Sequence, residues 1–169
     1  MSNQALPLIS TILIGLGATL TTDLWALFIK RVFKNAAPNY CLVGRWLRYM
    51  SEGIFKHSNI ASAPQKSAEC TVGWIAHYMI GVTFAIAFVG LAGDNWLQHP
   101  TLFPALLFGF FTVLMPFFIM QPAFGLGLAA SKTANPTQAR LRSLMNHTSF
   151  GVGLYLFAFL VNWLLWVYA

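Results

Sequence analysis

The sequence predicts an all-α integral membrane protein of four transmembrane helices plus a short interfacial amphipathic helix, in one domain over residues 1–169. Three observations predict it. Of the residues, 57% are hydrophobic and 8% charged, where a soluble domain carries about 25% charged residues. Four apolar runs, about 8–29, 72–92, 102–128 and 144–168, are each long enough to cross ~30 Å of hydrocarbon. All ten Lys and Arg fall in the loops that join the first run to the second and the third to the fourth. A water-soluble fold is excluded, because a soluble domain of this size still exposes about a third of its chain surface to water. Disorder is excluded by the same composition. Alternating strand segments of about ten residues are absent, and lipid demands internal pairing of every backbone group, so the spans are helices.

The first run carries no positive residues before it (Met1 to Pro7) and several after it, which argues for a retained span and against a cleaved signal peptide. The loop 30–71 holds Lys30, Arg31, Lys34, Arg45, Arg48, Lys56 and Lys66, and the later loop holds Lys132, Arg140 and Arg142. The positive-inside rule then places both loops in the cytoplasm and both termini outside, with Gly93 to Thr101 external. That placement accounts for a pI of about 9.7 without a nucleic-acid partner. Cys41 and Cys70 fall on the reducing side, so no structural disulfide is expected. The absence of a Cys-x-x-Cys pair argues against a zinc knuckle or a thiol oxidoreductase.

Within the long loop, Tyr40 to Phe55 places Val43, Trp46, Leu47, Met50 and Ile54 at spacings of three and four, the pattern of a short amphipathic helix. Beside a spanning helix such a segment is expected in the headgroup layer, with Arg45, Trp46 and Arg48 toward anionic lipid headgroups. The alternative is a cap packed on the end of the bundle. Ser67 is the expected N-cap of the second span, and Glu69 its first-turn acid.

Ionisable residues inside spans are costly and mark candidate sites. At about 1.5 Å per residue, Asp23, His77 and His147 fall in one layer of the cytoplasmic half, with Gln121 near the same depth. Each shares a helix face with small or polar neighbours: Gly15 and Thr19 with Asp23, Gly81 with His77, Gly151 with His147. Pro116 and Pro122 free backbone carbonyls in the third span. The candidate site for a small ligand or ion is therefore Asp23, His77, Gln121, His147 and Thr19. Any metal would use Asp23, His77 and His147, although no His-x-x-x-His or His-Glu-x-x-His spacing is present. The plainer alternative pairs Asp23 with Lys30 or Arg31. No Gly-x-Ser-x-Gly elbow, phosphate-binding Gly-rich loop or paired acids occur, so no catalytic residue and no cofactor is assigned.

Several segments together form a recognisable pattern: Gly17-Ala18-Thr19, Asp23-Leu24-Trp25, Gly44-Arg45-Trp46, Gly73-Trp74 with His77-Tyr78, Met120-Gln121-Pro122-Ala123, and His147 with Phe150-Gly151. The chain thereby resembles a family of small bacterial inner-membrane proteins classified as domain of unknown function 2938. The resemblance covers nearly the whole chain and implies a bacterial inner-membrane location and four spans. It implies no activity. The expected function is a non-enzymatic bundle that binds or passes a proton, metal ion or polar solute, as a homo-oligomer or with a membrane protein partner. The alternatives are an accessory subunit of a larger membrane complex and a lipid-modifying enzyme.

Overall fold

The computed structural model describes residues 5–34 and 37–167. Its helices are α1 (Ala5–Phe33), α2 (Tyr40–Met50), α3 (Glu69–Ala92), α4 (Asp94–Gln98), α5 (Leu102–Thr112), α6 (Gln121–Ala123) and α7 (Pro136–Val167), and no strand occurs among the described residues. A π turn, Pro116–Met120, joins α5 to α6, so that Leu102–Ala123 runs as a single rod. Four helices are long and apolar enough to cross a membrane: Leu6–Phe33, Glu69–Ala92, Leu102–Ala123 and Pro136–Leu165.

Their ends differ from the hydropathy runs for local reasons. The fourth helix begins at Pro136, well before residue 144, because Asn135 Oδ1 accepts from the Gln138 N–H and proline suits a first helical turn. The third ends at Ala123, short of residue 128, where Gly125 and Gly127 adopt φ of 85° and 75° and turn the chain back. The short loop after Ala92 carries α4. The expected end of the last span at Tyr168 and the first residues of the Met1 to Pro7 segment lie outside the described residues.

Helix α1 packs on α3 and α7, α7 also packs on α5, and α2 lies on α3. The core between them holds Ile14, Ala18, Phe88, Ala105, Phe150 and Leu154. Small residues set these crossings: a Cβ on Gly109 of α5 would collide with the backbone of Gly151 in α7. The outward faces carry exposed Leu13, Leu20, Ile75, Met79, Phe103 and Phe159. At the end away from the basic loops, Trp96 of α4 packs edge-on to Phe88 at 4.6 Å, and Asn162 Nδ2 donates to the carbonyls of Leu97 and Gln98.

At the basic end α2 is a cap, and this corrects the headgroup expectation for Arg45 and Trp46. The helix stops at Met50, where Ser51 to Gly53 form a turn, so the expected length to Phe55 is not reached. A Cβ on either Gly44 or Gly73 would collide with the backbone of the other helix, so the α2–α3 seam closes fully there. Arg45, 5% exposed, is drawn into this seam. Its Nε and Nη2 donate to Glu69 at 2.8 and 2.7 Å, while Nη1 donates to the carbonyls of Ile60, Ala61 and Ala63. Trp46 Nε1 donates to Phe55 O, and its ring packs edge-on to Phe124 at 5.6 Å. Of the three headgroup candidates only Arg48 is exposed. Tyr49, Ile60 and Phe124 form a small second core under this cap.

Two further expectations are corrected at the same seam. Cys41 and Cys70 form a disulfide, because the glycine contact three residues further along each helix brings their Cα atoms to 3.9 Å. Ser67 does not cap α3: Ala68 occupies that position with φ 55° and no side-chain bond, and Glu69 instead accepts the Lys66 N–H at 2.9 Å and neutralises Arg45.

Candidate functional site

Asp23 lies inward on α1 and gathers three donors from two other helices. His77 Nε2 of α3 stands 3.0 Å from Oδ1, Tyr40 Oη of α2 donates to the same oxygen at 3.3 Å, and Tyr78 Oη of α3 donates to Oδ2 at 3.0 Å. The Tyr40 ring stacks on His77 with centroids 3.9 Å apart. Among the described residues Asp23 pairs with His77 and not with Lys30 or Arg31. Burial first, and then the Asp23 carboxylate, push the Tyr40 phenol far above its ordinary range, so it remains a neutral donor.

His147 of α7 belongs to a different bond. Its Nδ1 lies 2.7 Å from Thr112 Oγ1 at the end of α5, and the Thr112 hydroxyl donates in turn to the Gly109 carbonyl. Which of the two gives the hydrogen at this contact follows the His147 tautomer. Asp23 and His147 do not bond each other. What joins the two histidines is a chamber of about 470 Å³ between α1, α2, α3, the third rod and α7, lined by both rings. Its walls are mainly apolar: Trp46, Phe84, Met115, Met120 and Phe150. Thr19 also lines it, but its hydroxyl is committed to the Gly15 carbonyl at 2.8 Å.

Gln121 lies outside this chamber. It lines a neighbouring space of about 290 Å³ toward the basic loops, together with Arg142, Ser143 and Asn146, and its Nε2 donates to Ser143 Oγ at 3.3 Å. Its Oε1 is buried without a hydrogen-bond partner among the described residues. Pro38, Ser143 and Asn146 line both spaces, so the polar vestibule and the apolar chamber adjoin. Pro116, at the start of the π turn, contributes to the chamber wall.

The structure thus brings Asp23 to His77, places His147 across a common chamber, and sets Gln121 in the vestibule. No group of three or more His, Cys, Asp or Glu that could hold a metal occurs among the described residues. Tyr40, Tyr78 and Thr112 were not singled out in the sequence, although Tyr78 follows His77 directly. For Thr112 the only signal was a hydroxyl in an apolar run.

Fold and site together define an all-helical bundle with an apolar chamber tipped by two imidazoles. The chain belongs to the family described as protein of unknown function DUF2938, which it matches over residues 12–161. No curated protein and no solved structure matches it.

Proposed function

We propose that the chain is an integral protein of a bacterial inner membrane that binds a small, largely apolar molecule with a polar group, without covalent chemistry. The observation that carries this reading is the chamber of about 470 Å³ with His77 and His147 in its otherwise mainly apolar wall. Small-molecule sites have this character, at ~300–1,000 Å³ with a few polar groups fixing orientation. A proton or bare ion needs neither the volume nor the apolar wall. Support for the membrane placement comes from the four apolar helices and the exposed Leu, Ile and Phe on their outer faces. The distribution of Lys and Arg supports an orientation with the capped end inside, and Arg48 supports contact there with anionic lipid headgroups.

The test is native mass spectrometry of the protein released from mild detergent, comparing wild type with Ser143→Trp, which puts an indole where vestibule and chamber adjoin. The expected result is a small molecule bound to the wild type and missing from a variant that melts within a few degrees of it. Wild type that carries no ligand and accepts none from an added panel of apolar compounds would refute the reading.

A further inference from the structure

The two adjoining spaces differ in the kind of group each can hold. Among the described residues, no Lys, Arg, Asp or Glu lines the chamber, and its wall is mainly apolar. The vestibule is lined by Arg142 together with Gln121, Ser143 and Asn146, and among the described residues no Asp or Glu lines it either. Ser143 and Asn146 line both spaces, so hydrogen-bond donors stand where the two meet. A guanidinium with a hydroxyl and an amide beside it, and no carboxylate in the wall, suits a ligand group that is negatively charged and rich in acceptors. Its fork matches a carboxylate or a phosphate. With five N–H donors, Arg142 can hold such a group while keeping a contact within the protein. The same charge would be costly in the chamber, whose wall offers no Lys or Arg. One ligand that fills both spaces is therefore apolar over most of its length and anionic at one end.

Position within the bundle gives the same order. On α3, which runs from Glu69 to Ala92, the chamber is lined by His77 through Phe84 near the helix middle, whereas the vestibule lies toward the basic loops. A lipid in the leaflet at that end has its headgroup and chain in the same order. Ile80, Met115 and Ile119 line the chamber and are 46%, 48% and 49% exposed, so its wall reaches the apolar outer surface. A chain that enters there need not carry its headgroup through the hydrocarbon. Met115 and Met120 adapt to a flexible chain. We infer that chamber and vestibule together bind an anionic lipid with one acyl chain, the chain in the chamber and the headgroup in the vestibule beside Arg142, Ser143 and Asn146. This inference rests on the reading of the chamber as a small-molecule site in a membrane protein. The carboxylate of a fatty acid and the phosphate of a lysophospholipid share the required chemistry.

The experiment titrates full-length protein in mild nonionic detergent, at pH ~8 where carboxylates are ionised, and reads bound mass by native mass spectrometry. The probes share one saturated chain: myristic acid, myristoyl lysophosphatidic acid, methyl myristate and myristyltrimethylammonium. Either anionic probe should bind about tenfold or more tightly than the ester and the ammonium, since hydrogen bonds to a charged group are worth about that much. This comparison is made in the wild type and needs no variant to fold. Arg142→Gln should weaken the anionic probes about tenfold and leave the ester little changed, and Arg142→Lys should recover part of the loss. Tighter binding of the acid would make the ligand a fatty acid and tighter binding of the phosphate a lysophospholipid, either one supporting the inference. An ester or ammonium that binds as tightly as the anions, and is lost in Ser143→Trp, would overturn the inference and leave the apolar binding chamber standing. An anion preference unchanged in Arg142→Gln would overturn the placement of the headgroup, and the inference with it. If no probe binds while the wild type carries another small molecule, this inference alone falls; if it carries none and accepts none, the reading beneath falls too.

Discussion

Asp23 shows how far single residues can be read from a sequence. Counting residues from the positively charged ends sets Asp23 and His77 at similar depths, and they meet at 3.0 Å because a carboxylate in an apolar layer needs donors. The same count could not see that His147 is satisfied by Thr112, since depth fixes a height along the helix and not a direction around it. Two outcomes belong to this scale. Asp23→Asn replaces an acceptor of three hydrogen bonds by an amide with one acceptor oxygen, so His77 loses its fixed tautomer; its NMR signals should change while those of His147 stay close to wild type. Unchanged His77 signals would mean the pair does not exist in solution. Tyr40 gives a pH dependence. Its phenol ionises less readily folded than unfolded, so the contribution it makes is fully present below pH ~10 and is lost as pH rises beyond that, where the unfolded phenol ionises and the folded one does not. Unfolding followed from pH 8 to 11, both about the phenol range, should show stability falling at the alkaline end, and Tyr40→Phe should flatten that fall.

At the scale of elements, the four long apolar helices were legible because runs of about 20 consecutive apolar residues make a helix long enough to cross a bilayer. The amphipathic helix was legible in period but not in partner. A helical wheel gives Arg45 a polar neighbourhood, yet Glu69, the residue that neutralises it, lies 24 positions further on. A signal was present in the mirrored spacings Cys41-x-x-Gly44 and Cys70-x-x-Gly73, which become the seam where α2 meets α3. The end of the third span was misjudged because hydropathy does not register the positive φ of Gly125 and Gly127. Breaking a buried pair by removing one partner leaves an uncompensated charge. Glu69→Gln should therefore cost about 3–5 kcal/mol in denaturant unfolding. Glu52→Gln, which breaks the exposed pair with Lys66, should cost under ~1 kcal/mol. Equal costs would place Arg45 in water. The seam predicts a second contrast: Gly44→Ala should destabilise strongly, because its Cβ meets the Glu69 carbonyl. Gly90→Ala, whose Cβ meets nothing within 4 Å, should be neutral or stabilising by up to ~1 kcal/mol.

For the whole molecule, two features pull in opposite directions on orientation. Every Lys and Arg lies at the capped end, which favours the cytoplasm, while the Cys41–Cys70 disulfide at that end favours an oxidising compartment. Charge acts during insertion, before the α2–α3 seam exists, so it should decide. Reporter fusions after Lys34 and Thr133 should read as cytoplasmic and one after Gly93 as external, whereas the reverse pattern would assign the disulfide to the oxidising side. The chamber itself could not be foreseen from composition, because its volume depends on how five helical segments pack around it. The most direct measurement of whether that chamber is a binding site is solid-state NMR of nitrogen-labelled histidine protein in lipid bilayers with one equivalent of a fluorine-labelled phenol. Dipolar transfer from the fluorine should reach the rings of both His77 and His147 in the wild type and neither in Ser143→Trp. Transfer to lipid alone, with no signal at either histidine, would contradict the account.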